Sequence, residues 1–78
     1  MNILNIILAV LAFVRQYGQL AKPVIDAELQ ALLAAGRITQ AQYDAIEMLL
    51  ALALGAGVQA KLAGQTPTAA AFRKEAGY

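Results

Sequence analysis

The sequence predicts an all-α fold of three to four helices in one small domain, residues 1–78. Three observations predict it. No run alternates apolar and polar residues with the period of two that a half-buried strand needs. The chain is rich in Ala, Leu and Gln, which favour helix. Gly and Pro punctuate it at helical lengths, giving expected segments at 2–17, 23–35, 40–63 and 67–76.

Each segment has its own justification. Gly18, Gly36, Gly64 and Gly77 stand where helices end in left-handed backbone. Pro23 and Pro67 suit first-turn positions, where a missing N–H costs nothing, and Thr66 suits the N-cap of the last segment. Residues 18–22 either separate two helices or kink one long one.

The first segment is apolar nearly all round. Ile3, Ile7, Val10, Val14 and Tyr17 form its apolar face, with Leu4, Leu8 and Leu11 alongside. Asn2, Asn5, Ala9, Ala12, Gln16 and Gln19 form a narrow polar-to-small stripe opposite. That pattern fits a buried helix touching solvent along one edge, or a membrane-embedded helix presenting small residues to a partner. The stretch before Arg15 spans roughly 20 Å as helix, short of the about 30 Å of a hydrocarbon core. The start lacks Lys and Arg, which disfavours a cleavable leader. Embedding in protein or at an interface is the expectation.

The strongest local signal lies at residues 36–43. Thr39 is placed to cap the third helix, and Gln42, three residues on, completes a capping box. Ile38 before the cap and Tyr43 four positions after it are placed for a hydrophobic staple. Gly36 ends the preceding helix, so residues 36–39 form the turn of a tight antiparallel helical hairpin.

In the third helix Leu50, Leu54, Val58 and Leu62 recur every four residues, beside a small-residue seam of Ala53, Gly57, Ala60 and Gly64. Glycine costs a helix about 1 kcal/mol relative to alanine. Close packing along the seam would offset that cost at Gly55 and Gly57; alternatively, the two glycines end or kink the helix near Leu54. The last segment has only Phe72 and Tyr78 as large apolar residues and is expected to fray alone.

Residues 32–46, with Leu32, Leu33, Gly36, Ile38, Thr39 and Tyr43 in order, resemble the Leu-Leu…Gly-x-Ile-Thr-x-x-x-Tyr/Phe hairpin of short C-terminal (SHOCT-type) domains. They also look like the Gly-x-Ile-Thr-x-x-x-Tyr segment of small XkdX-like bacteriophage tail proteins. The likeness covers about a fifth of the chain. It implies a packing module from a phage or bacterial source and carries no catalytic residues.

Composition bears on function chiefly through what is missing. Histidine, cysteine and serine are absent, which removes the commonest metal ligands, thiol chemistry and a serine nucleophile; the three threonines have no imidazole to activate them. Of the five carboxylates, Asp26 and Glu28 point in different directions on a helix, while Asp44 and Glu47 share a face and read as a solvated first turn. Arg73 and Lys74 are the only adjacent basic pair and read as a solvated helix end, so neither specific nucleic-acid binding nor a small-molecule substrate is expected. No enzyme activity and no cofactor are expected either. The chain is 60% hydrophobic and 14% charged, against about 45–50% and 25% in ordinary domains. A chain this short hides only about 60% of its unfolded surface alone, so other protein subunits are the expected partners. These readings converge on a structural subunit of a larger homo- or hetero-oligomeric assembly, most concretely a minor virion component of a bacteriophage. The alternative is a small membrane-active protein, holin-like or membrane-penetrating, and membrane-associated if not viral.

Overall fold

The computed structural model describes residues 2–56 and 64–78. Among them are four α-helices and one 3-10 turn, and no strand: α1 (Ile3–Tyr17), the turn Gly18–Leu20, α2 (Ala21–Ala34), α3 (Gln40–Gly55) and α4 (Ala69–Ala76). The Asn2 side-chain oxygen starts α1 by accepting the Leu4 N–H at 2.9 Å.

Gly18 settles the choice left open at residues 18–22. Its backbone, at φ 61° and ψ −136°, is one that side-chain-bearing residues avoid, and it breaks the helix rather than kinking it. The run Ile3–Ala34 is long and apolar enough, by length and composition, to cross a membrane. As one straight helix its 32 residues would measure about 48 Å, yet the longest dimension of the molecule is 34 Å. The run therefore folds back on itself at Gly18. Because the 3-10 turn leads directly into α2, that helix starts at Ala21, and Pro23 sits at its third position instead of its first. The proline costs no helical hydrogen bond there, since the opening N–H groups of a helix have no partner within it.

The α2–α3 turn forms as its residues dictate. Gly36 takes φ 72°; its N–H donates to the Leu33 carbonyl (3.0 Å), and that of Arg37 donates to Leu32 (2.9 Å). Together these bonds are a Schellman closure of α2. Thr39 Oγ1 accepts the Gln42 N–H at 3.1 Å, while Gln42 Oε1 accepts the Thr39 N–H at 2.9 Å. Ile38 is buried and Tyr43 is half-buried against the same core.

Two boundaries differ from expectation. α3 ends at Gly55, with Ala56 as its cap, so the glycine-rich stretch closes the described helix; Gly57, Ala60 and the rest of the expected helix lie outside the described residues. The last helix begins at Ala69, because Thr68, not Thr66, supplies the cap: its hydroxyl accepts the Ala71 N–H at 3.1 Å. Pro67 lies buried just ahead of that cap.

The core is built chiefly from Ile6, Val10, Phe13, Val14, Ile25, Leu29, Ile46, Leu50 and Phe72. Phe72 is fully buried edge-on to Phe13, with ring centroids 5.3 Å apart. Gly77, at the other end of α4, lies beside Asn5, so α4 runs antiparallel along α1. The C-terminal segment, expected to fray alone, is thus held in place by its packing against α1. The face that α1 buries is also rotated from the expected one. Val10 and Val14 belong to it, but Ile6, Ala9 and Phe13 share it, while Ile3, Ile7 and Tyr17 are only half-buried. Ala9 of the supposed polar stripe is buried because α1 packs against α2, α3 and α4 together, which requires a broad inner face.

Thr39→Ala should lower unfolding free energy by about 0.5–2 kcal/mol, the usual loss of an N-cap. At Gly36 an added Cβ meets nothing within 4 Å, so the cost of Gly36→Val comes from backbone conformation alone, at least about 1 kcal/mol. Urea denaturation followed by circular dichroism reads both values.

Candidate functional site

Three arrangements carry the unusual chemistry and surface of this chain. The first surrounds Glu28, the one buried charged residue among those described, at 6% exposure. α2 aims its carboxylate at the end of α4. Arg73 Nε donates to Oε2 at 3.0 Å and Nη2 to Oε1 at 2.9 Å, and the Tyr78 hydroxyl donates to Oε2 at 3.1 Å. Tyr78 is held in reach by a second Schellman closure, in which its N–H donates to the Arg73 carbonyl at 3.0 Å. The Arg37 guanidinium, from the hairpin turn, lies 6.0 Å from the Tyr78 ring centre. Burial first, then the Glu28 charge and the hydrogen bond to it, push the Tyr78 phenol up to about 12. Arg73 is therefore half of a bidentate pair and not a free solvated helix end.

The second arrangement pairs carboxyls across the hairpin. Glu47 does not share a solvated face with Asp44, whose Oδ1 accepts from Gln40 Nε2 at 3.0 Å. It turns toward Asp26 on α2, and burial, the hydrogen bond with Asp26 and the Asp26 charge push it up to about 7. Lys22 Nζ donates to Asp26 Oδ2 at 2.6 Å. Among the described residues no three His, Cys, Asp or Glu side chains gather closely enough to hold a metal ion. An open pocket of about 400 Å³ lies where α1 begins, lined by Asn2, Ile3, Ile6, Arg37, Ile38 and Gln42. Its polar groups are amides and a guanidinium, which bind but offer no nucleophile.

The third arrangement is apolar and faces outward. Leu4 and Leu8 on α1 are 55% and 54% exposed, and Met48 and Leu52 on α3 are both 67% exposed. Each pair is four residues apart and so forms one stripe on its helix. Leu20, at the turn after Gly18, is also exposed. Within the expected small-residue seam, Ala53 packs half-buried against the core and Gly64 is exposed at φ 87°, while Gly57 and Ala60 lie outside the described residues. An outward stripe of α3 runs through Met48 and Leu52. Their apolar character was plain in the sequence; their exposure depends on which face α3 gives to the core.

Compared with known protein families, with curated proteins and with solved structures, the chain matches none.

Phe72→Ala should cost about 3–5 kcal/mol, as expected for an aromatic side chain removed from a core. Amide exchange should report loss of protection across α4. A folded Tyr78 phenol keeps its proton to about pH 12, whereas an unfolded one releases it near the ordinary 10.0. Its contribution is therefore full below pH 10 and lost as pH rises toward 12. Tyr78→Phe should remove that alkaline slope, and with it the late phenol ionisation in an absorbance titration.

Proposed function

We propose that this chain is a non-enzymatic structural subunit of a larger protein assembly, and more narrowly a minor component of a bacteriophage virion. The observation that carries the assembly role is the pair of outward apolar stripes, Leu4–Leu8 and Met48–Leu52, on helices whose inner faces already fill a core. The accessible surface, 4612 Å², equals the roughly 4500 Å² expected of a folded monomer of this mass. The stripes are thus surface left over after the core is complete. Covering such half-exposed side chains is worth about 1 kcal/mol each, taking half the value of full burial. Other protein subunits, like or unlike, are the partners this reading requires. The virion assignment is supported by the likeness of residues 32–46 to XkdX-like tail proteins.

A second reading, a small membrane-active protein, draws on the length and composition of Ile3–Ala34. The bend at Gly18, with Lys22, Asp26 and Glu28 in the second half of the run, supports the assembly reading over it.

Sedimentation of the purified chain without detergent should show species larger than 8.2 kDa. Leu8→Glu combined with Leu52→Glu should release a helical monomer with unchanged circular dichroism. A sharp monomer of the unaltered chain at tens of micromolar overturns the assembly reading. Partitioning of the chain into liposomes, with no incorporation into particles, would favour the membrane reading.

A further inference from the structure

α2 and α3 meet along the hairpin, and Asp26 and Glu47 face each other between them. Asp26 Oδ1 and Glu47 Oε1 are both buried from solvent and have no hydrogen-bond partner among the described residues. Two ionised carboxylates cannot satisfy each other, because each is purely an acceptor. A single proton removes the difficulty: the protonated carboxyl donates to the ionised one, and one negative charge remains for Lys22, whose Nζ lies 2.6 Å from Asp26 Oδ2. We infer that the α2–α3 hairpin carries a proton-operated latch, in which Asp26 and Glu47 hold one proton between them and its release to solvent loosens the pairing of the two helices.

The surroundings suit a device of this kind. On α2, Lys22 faces the pair, and Glu28 is turned away toward Arg73 and Tyr78. On α3, Tyr43 lies near Lys22, and Asp44 is exposed on Gln40. α1, the other helix packed on α3, offers only Arg15 and Tyr17 as ionisable groups, and neither acts on Glu47. On α4, which packs against α2, Arg73 is engaged with Glu28, and Lys74 and Glu75 are exposed. Among the described residues Lys22 is thus the one cation acting on two carboxylates, and it cannot neutralise both once the proton is gone. Burial and the neighbouring Asp26 raise Glu47 from 4.5 to about 7, so the proton leaves near neutrality. A raised carboxyl means that the folded state binds the proton more tightly than the unfolded one. The contribution of Glu47 to stability is therefore full below about pH 4.5 and declines as pH rises to about 7, where that contribution is nearly gone.

The test is a carboxyl-carbon NMR titration of the full chain alongside thermal unfolding across that window. Glu47 is expected to titrate near neutrality, and the unfolding midpoint to fall as pH rises. Glu47→Gln, whose amide donates to Asp26 permanently, should flatten the dependence, and Asp26→Asn should move the Glu47 midpoint downward. A Glu47 carboxyl titrating in the ordinary range overturns the latch, as does an unchanged pH slope in Glu47→Gln. The titration of the unaltered chain decides the matter even if neither variant folds.

Discussion

Glu28 lies buried on α2 because α4 brings a guanidinium and a phenol to it. Removing a carboxylate from water costs several kcal/mol unless it is paired and hydrogen-bonded, and here both oxygens accept from Arg73 or Tyr78. The dependence runs the other way as well. α4 has eight residues, too few for a stable isolated helix, so it owes its place to Phe72 in the core and to the Glu28 contacts at its end. The acceptor on α2 and the donors of the C-terminal segment complete each other, and α1, which packs along α4, has its inner face shaped by that partnership.

The hairpin at residues 36–43 is stabilised on a shorter scale. Its hydrogen bonds join groups no more than five residues apart, from the Leu32 carbonyl to the Gln42 side chain. Such a unit forms from its own residues and delivers α3 back against α2. That return places Glu47 opposite Asp26 and turns Met48 and Leu52 to the outside. Half-buried Glu47 and the outward apolar stripe thus lie on different faces of one helix. An event that loosened α3 from α2 would also alter the surface through which this chain is proposed to join its neighbours.

What the residues determined by themselves is local. Helix content, the Thr39 capping box, the Gly36 turn and the helix endings at Gly18 and Gly77 follow from backbone preferences acting over a few positions, and they were legible as such. The Thr66–Thr68 boundary shows where this legibility ends: Pro67 at a first-turn position favours Thr66 as the cap, whereas the folded chain buries Pro67 and caps the helix with Thr68.

The tertiary structure decided which faces meet. Arg73 and Tyr78 lie 45 and 50 residues from Glu28, and in sequence they read as a solvated basic end and an isolated tail aromatic. Glu47 read as the partner of Asp44 because the two share a helical face, but the neighbouring helix offered it Asp26. α1 is apolar on so much of its circumference that periodicity could not choose between Ile3 and Ile6 as the centre of its buried face. Local propensities act along the chain, whereas burial and charge pairing depend on proximity across it, and proximity between distant residues exists only once the helices have packed.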